Sequence, residues 1–501
     1  MRSLLFLFLI NSCIPQAEAR RKKAGSAEKA TEATEETQDQ LADIETLLRK
    51  KKPEEAARIL SELLSNPNNQ RLFPQAYELQ LKTWEQLKLP FTRFQFFPTI
   101  LQEDHNEQTH KELLEEFIDL AEELGEENQL PTLISNNSHL LKQKDQDLII
   151  YYKAKNALQD SNFSLSLELA ESLPKESEFY TKALNIKAVT LSQQNRFNEA
   201  VIAFQRALAN LKESKKNPKL LDVVQLNLAR NYYAMGIFSA AIEGFDAVPR
   251  RSPYWLEAQF EKAWALFRQQ QINPMLSILQ THTTEFFVDG VYPEEEMLRI
   301  YGFFLLCKFE STSTAVDVFE ERYTQHLITL REWTQKSNED LFRGFANHRN
   351  GDLPKMLARH FEFEDQMNEA VFTTQAIDRE IETLEKLGSF TAEPVGMLAQ
   401  RRDKIIQTQG ARIKAKGIWK IQQIDGMLQN MKITRLDITE IKQRILNKEA
   451  ALGERLGSKR QANRKIKKKR GHHTWTYQGE QWADELGYYE LKVKSDCPSE
   501  F

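Results

Sequence analysis

The sequence predicts an all-α chain built from stacked helix pairs. Apolar residues recur at three- and four-residue steps over most of the 501 residues, which is the spacing of one helix face. Glycine and proline are sparse, at 18 and 16, and strand-like alternation is nearly absent before the last thirty residues. Alanines also keep one phase. Ala154 and Ala188 lie 34 residues apart, Ala229 and Ala263 again 34, and 41 separate Ala188 from Ala229. Small residues at such a period mark helices that cross closely. A single pair cannot bury its apolar face, so neighbouring pairs stack. The seven extra residues fit an insertion in the polar stretch Lys212 to Pro218.

The clearest unit runs from Asp222 to Ser252. It places Leu228, Ala229 and Tyr232 on a first helix and Gly236 at the turn. Ala241 and Phe245 follow on a second helix, and Pro253 ends the unit. The preceding unit carries Leu184, Ala188, Leu191, Phe197, Ala200, Phe204 and Ala207, with Asn195 at the turn. Asparagine tolerates a left-handed conformation there. In these offsets the chain resembles the tetratricopeptide-repeat superfamily. The resemblance implies an α-solenoid over 39–325 that binds other proteins. Degenerate units follow from Ala154, Ala157, Phe163 and Ala170, from Ala263, Leu266, Ile272 and Leu279, and from Gly302, Leu306, Ala315 and Phe319. Ile44, Leu47, Ala56, Leu60 and Leu63 give one more. Between 70 and 140 the spacing is helical without a repeat phase. Further helices are expected over 326–395.

The chain begins with Met1-Arg2-Ser3, an apolar run from Leu4 to Ile10, and Ala17-Glu18-Ala19. Residues 1–19 thus resemble a secretory signal peptide cleaved after Ala19. Seven apolar residues are too few to span a bilayer. Ile10-Asn11-Ser12-Cys13 offers lipid anchoring through Cys13 as the alternative, with Asn11 off the pattern. Residues 20–38, opening on Arg20-Arg21-Lys22-Lys23, hold too few apolar side chains for a core and read as a flexible linker. The expected home is a bacterial periplasm, soluble or peripheral on the envelope. Removal of the signal leaves Cys307 and Cys497. Cys307, beside Phe303 to Leu306, reads as a buried helix residue. Cys497 reads as part of an exposed tail, and a bond between the two stays open.

Charge is divided sharply. Residues 401–470 hold 21 Lys and Arg against 6 Asp and Glu, in a chain whose net charge is −4. Residues 396–470 read as one long basic helix or a helical hairpin. Ile421, Ile424, Leu428 and Met431, then Ile438, Ile441 and Ile445, form a heptad-like seam for a partner helix. Self-association through 396–470 is one expectation. Asp437 and Glu440 could cap a second helix after Thr434. The basic extreme comprises Lys459, Arg460, Arg464, Lys465, Lys467, Lys468, Lys469 and Arg470. It suits an anionic membrane surface or glycan, or the acidic repeats of this chain or another copy. Export and the lack of interleaved aromatics argue against nucleic acid.

The final residues, 471–501, form an aromatic element. Thr474 to Tyr477 and Tyr488 to Val493 predict a small two-stranded piece, marginal by itself. Trp475, Tyr477, Trp482 and Tyr488 beside acidic residues suit a binding hot spot or a clip that finishes the helical core. The tail resembles that of secreted tetratricopeptide proteins of gliding and predatory bacteria, which implies envelope motility machinery and envelope-protein partners.

No Walker A loop, dinucleotide fingerprint, His-Glu-x-x-His or Gly-x-Ser-x-Gly occurs. His472-His473 lack further metal ligands. Glu480 and Asp484-Glu485 lack a surrounding cleft. A non-enzymatic chain without a cofactor is therefore expected. Mapped from the family resemblance, the groove positions are Tyr151, Lys155, Lys182, Asn185, Arg230, Tyr233, Phe260, Trp264 and Phe267. Aromatic and basic residues together suit an extended peptide bearing acidic groups. The paired Lys/Asn pattern of a carboxylate clamp is not matched. The alternative function is tethering through the basic arm, with the repeats as spacer.

Overall fold

The computed structural model describes residues 40–452 and 486–497, apart from 104, 135–137, 216, 285–291, 348–352 and 363. The described residues are helical and contain no strand. In chain order the helices are α1 (40–49), α2 (Pro53–Ser65), α3 (Phe73–Gln86), α4 (Pro90–Ile100), α5 (Glu107–Leu124), α6 (Leu130–Leu133), α7 (Gln143–Gln159), α8 (Phe163–Ser172), α9 (Tyr180–Gln193) and α10 (Phe197–Ser214). They continue as α11 (Pro218–Ala234), α12 (Phe238–Asp246), α13 (Trp255–Arg268), α14 (Ile272–His282), α15 (Pro293–Leu305) and α16 (Phe309–Thr334). The last are α17 (Asn338–Ala346), α18 (Lys355–Glu362), α19 (Asp365–Leu387) and α20 (Ala392–Leu452). The chain divides into two units. Residues up to Glu126 join Gln375–Arg401 in the first, and the remainder forms the second.

In the first unit, α1, α2 and α3 share a core that includes Ile44, Ala56, Leu60 and Ala76. Phe94 and Phe97 of α4 each stand 5.0 Å from the ring of Phe117 on α5. The α4 N-terminus has no cap from its own sequence. Glu380 of α19 supplies it. Its carboxylate accepts from Phe91 N at 2.8 Å, Thr92 N at 2.9 Å and Thr92 Oγ1 at 2.7 Å. Arg401 lies 4.9 Å above the Phe94 ring and pairs with Glu126.

In the second unit, each helix from α7 to α16 packs on the next. The first helices of successive pairs also touch: α7 meets α9, α9 meets α11, α11 meets α13, and α13 meets α15. This is the packing of an α-solenoid. Ala154, Ala188, Ala229 and Ala263 are fully buried. At the α11–α12 crossing, a β-carbon on Gly244 would stand 2.8 Å from that of Ala229, so two small residues set the approach. The insertion at Lys212 to Pro218 is absorbed by long α10 and α11, of 18 and 17 residues. Asn217 then caps α11 through its side chain, which accepts from Leu220 N.

One backbone feature reveals the repeat more fully than the alanines do. Lys51, Lys88, Gly125, Ser161, Asn195, Gly236, Gln270 and Cys307 all have positive φ, between 55° and 75°. They recur at intervals of 34 to 41 residues. Each follows a first helix, and the next residue's N–H closes onto the carbonyl five positions back. Leu89 bonds to Trp84, Arg196 to Leu191, Ile237 to Tyr232 and Lys308 to Phe303. This is the Schellman turn that ends helices. The stretch from 70 to 140, which shows no phase in sequence, thus carries two such turns, at Lys88 and Gly125. Cys307 is correspondingly not a buried helix residue. It occupies the left-handed turn between α15 and α16, part exposed, and is bonded to Cys497.

The long helix resolves two sequence expectations. α20 is a single helix of 61 residues, continuous through Thr434 to Glu440, so no hairpin forms before Leu452. The Ile421 to Met431 part of its predicted seam is covered by this chain's own helices. Within the second unit, Ile413, Ile424, Met427 and Met431 share one core with Val316, Phe319, Tyr323, Leu327 and Leu330 of α16. Ile421 and Leu428 pack against it. Ion pairs of both polarities join α16 and α20. Asp425 pairs with Arg331 at 3.0 Å, and Arg435 with Asp317 and Glu320 at 2.6 Å each. α16 continues to Thr334, past the expected boundary at 325. α17, α18 and α19 supply the additional helices.

The predicted two-stranded tail is described only in its second half. Residues 488–497 have no regular secondary structure; Leu491 and Val493 lie on α14, and the segment pairs with no strand among the described residues. Helix side chains meet the main chain of Leu491 and Val493. Thr474 to Tyr477 lies outside the described residues.

Buried ionisable residues mark the α14–α15 junction. His282 Nε2 lies 3.5 Å from Glu295 Oε1. Burial drives His282 down from 6.5 to about 4, against opposing hydrogen bonds to the Leu256 and Ile278 carbonyls. Burial also pushes Glu295 well above the usual carboxylate range, reinforced by Glu294 and Glu296. The two act on stability with opposite sign. The unfolded histidine protonates first, so its contribution is present above pH 6.5 and is lost as pH falls towards 4, by about 3 kcal/mol. The Glu295 contribution is present at low pH and is lost as pH rises through its raised value. We expect His282→Gln to flatten the acid side of the stability profile in urea unfolding. We expect Glu295→Gln to gain stability over the parent at pH 8 and to match it at pH 4.

Candidate partner-binding groove

The groove positions lie on the first helices of the second unit and form two clusters. At the α7–α9 end, the Tyr151 ring stacks on Phe179 at 5.4 Å. Lys182 Nζ sits 5.6 Å from the Tyr151 ring and 5.2 Å from the Phe179 ring. One turn along α7, Lys155 covers Tyr152 at 5.2 Å. Burial, then the Glu127 charge, pushes the Tyr151 hydroxyl up to about 12. The same two causes raise Tyr152, which also hydrogen bonds to Glu127. Both tyrosines therefore stay neutral donors. Asn185 Oδ1 is buried with no hydrogen-bond partner. An acceptor left so costs about 1–3 kcal/mol.

The second cluster joins α11 and α13. Arg230, Tyr233, Phe245, Glu261 and Trp264 line an open cavity of about 350 Å³. Arg230 is not free to receive an acidic peptide. Its Nε lies 3.0 and 2.9 Å from the two Glu261 oxygens, and its Nη2 lies 2.6 Å from Glu261 Oε1 and 2.6 Å from Glu257 Oε1. Burial raises the Glu261 carboxyl, with Arg230 opposing. Sequence reasoning missed Glu261 and Glu257. The signal was their spacing of one helical turn on α13, the same step that separates Phe260 from Trp264.

The remaining groove positions serve packing. Phe260, Trp264 and Phe267 lie against the core of α13, α14 and α15. Trp264 meets the Phe267 ring edge-on at 5.8 Å and also touches the α16–α20 core. Phe260, Trp264 and Phe267 are each part-buried, with one side resting on this core. Within this unit α20 itself approaches the first-helix face. Gln423 donates to Glu294 at 3.1 Å. Lys416 feels Glu364, Glu294 and Glu257, while burial lowers its ammonium. Burial, then Lys416, brings Lys420 down to about 8.

The basic arm, Lys459, Arg460, Arg464, Lys465, Lys467, Lys468, Lys469 and Arg470, lies outside the described residues, as do Trp475, Tyr477 and Trp482. Tyr488 is 76% exposed. Among the described residues no group of three or more His, Cys, Asp or Glu could hold a metal ion. No described helix is long and apolar enough to cross a membrane.

No family model and no curated protein matches the chain. Among solved structures it is similar to the apo form of RapI, at 13% identity and a TM-score of 0.37, covering 74% of this chain and 98% of that one. A Rap protein complexed with competence and sporulation factor matches at 12% identity and a TM-score of 0.24, covering 76% and 99%. A circular tandem repeat protein matches at 13% and 0.12, covering 86% and 95%. Scores this low carry no information about partner or activity. The helical-repeat fold rests on the packing described above.

Proposed function

We propose that the chain is a non-enzymatic scaffold that captures an extended segment of a protein partner along the first-helix face of α7, α9 and α11. The Tyr151–Phe179 stack under Lys182 supports this reading most directly. Lys155 and Lys182 lie over aromatic rings, and Asn185 nearby keeps an unsatisfied acceptor. Acidic side chains would meet the two lysines, and an apolar side chain would fill the cavity beside Tyr233. With Arg230 held by its glutamates, the acidic end of the partner belongs at α7–α9.

We further propose that the protein is exported and works in an envelope assembly, with motility machinery as one setting. The signal-like start and the Cys307–Cys497 bond support export, because disulfides persist in oxidising compartments.

A photo-crosslinking residue at Asn185 tests the groove in cells. Tyr151→Ala with Lys182→Glu should reduce the crosslinked partner at least tenfold while helix content stays unchanged. Undiminished crosslinking in that variant would overturn the assignment. Arg230→Ala is a poor probe, since it strands Glu261 without its cation.

A further inference from the structure

The outer stripe of α14 reads main chain. Asn273, Ser277 and Thr281 stand four residues apart on one face. Val493 N donates to Asn273 Oδ1 at 2.9 Å, and Asn273 Nδ2 donates to Val493 O at 3.2 Å. Leu491 N donates to Ser277 Oγ at 2.8 Å, and Gly487 N donates to Thr281 Oγ1 at 2.9 Å. Two residues of extended chain advance about 6.7 Å, and one helical step of four advances about 6 Å. Successive rungs at Asn273 and Ser277 therefore match Val493 and Leu491. The inward side chains of Leu491 and Val493 enter the apolar cluster that holds Leu266, Leu279 and Leu298.

This recognition is generic in two ways. Four of its hydrogen bonds involve only backbone of the bound segment. On the stripe itself, its side-chain contacts are two branched apolar residues two positions apart, with Leu486 buried farther up the segment. What ties this particular segment down lies beyond the stripe. Asp496 N donates to Leu306 O at 2.9 Å, Lys308 pairs with Asp496 at 2.6 Å, and Cys497 is bonded to Cys307.

We propose that the α14 stripe is a docking site for an extended peptide of the pattern apolar-x-apolar, that residues 486–497 are its resident occupant, and that the Cys307–Cys497 disulfide latches the occupant in place. The resident segment argues for the occupant's chemistry, since it shows what the stripe accepts. Release requires a dithiol reductant. One thiolate of the reductant attacks a sulfur of the bond and forms a mixed disulfide. Its second thiol then closes on the first, leaving Cys307 and Cys497 as thiols with the two electrons and two protons the dithiol gave up. The partner then competes with a tail that is no longer held covalently. This stripe is on a second helix and is independent of the first-helix groove.

The test uses the full chain with its own tail disabled, Leu491→Asp, Val493→Asp and Cys497→Ser. The probe is a fluorescent peptide of residues 486–497 with serine for Cys497. Expected are saturable binding to this variant, at least tenfold weaker binding to the oxidised parent, and at least tenfold loss when Asn273→Ala is added. No binding to a disabled-tail variant of parental helix content, or binding indifferent to Asn273→Ala, would overturn the docking site. Hydrogen exchange of the parent tests the latch. Protection of the Leu491 and Val493 amides should fall at least tenfold with dithiothreitol, and unchanged protection overturns the latch. A disulfide-linked dimer formed on reoxidation overturns the separate partner and gives the stripe to a second copy.

Discussion

Gly410→Ala should destabilise the second unit by about 3 kcal/mol or more, although the same change in a free helix stabilises by roughly 1 kcal/mol. A β-carbon at Gly410 would fall 2.0 Å from the carbonyl oxygen of Asn338, 2.5 Å from its carbon and 2.7 Å from its α-carbon. The obstacle is backbone, at the first turn of α17, so no rotamer change relieves it. That turn is itself fixed, with Ser337 Oγ accepting from Asp340 N at 3.0 Å and Asn338 Nδ2 reaching Gln407 at 3.2 Å. Insertion of one carbon must displace α17 from α20 or bend α20. Gly426, also inside α20, has nothing within 4 Å of the equivalent position. Gly426→Ala should therefore raise stability by about 0.5–1 kcal/mol. Chemical denaturation of the two variants checks the contrast. A stabilising shift from Gly410→Ala would show that the close approach is not maintained in solution.

Glu380→Ala should cost the first unit about 3 kcal/mol. It removes the acceptor for two backbone N–H groups, Phe91 and Thr92, and for the Thr92 hydroxyl, all buried. A buried donor left unmade costs about 1–3 kcal/mol. Burial pushes the Glu380 carboxyl up, against those hydrogen bonds and the nearby Arg401 charge. Glutamine is a partial replacement only, because both carboxylate oxygens accept and an amide offers one acceptor. Glu380→Gln should thus fall between the parent and Glu380→Ala. Urea unfolding gives the order, and faster hydrogen exchange at Phe91 and Thr92 in both variants locates the damage. Parental exchange at those amides in Glu380→Ala would show that water replaces the cap without loss.

The helices and much of the repeat were legible in the sequence because their signals are local. An alanine at a crossing and apolar steps of three and four follow from neighbours a turn away, and Ala188, Ala229 and Ala263 are all fully buried. The two hidden turns, at Lys88 and Gly125, were not legible. A Schellman turn is defined by a left-handed φ, which glycine marks clearly and lysine does not. Here that position is held by Lys, Ser, Asn, Gln and Cys as well as Gly. The groove was partly legible. Tyr151 meets Lys182 at one end, and Arg230 and Tyr233 line a separate cavity with Trp264. The glutamates that hold Arg230 were not legible, since phase gives a position on a helix but not what packs against it.

The sequence by itself determined an all-α chain, the period of its helix pairs and the division of its charge. Only tertiary structure decided which acidic residues meet that charge, what covers the α20 seam and where the tail lies. Arg230 meets Glu261 31 residues away, Glu380 caps a helix 289 residues away, and Val493 docks 220 residues from Asn273. The physical reason is degeneracy. Many surfaces satisfy an apolar seam, a lone guanidinium or an extended tail equally well by pattern. Shape, burial and the pairing of every buried polar group select one.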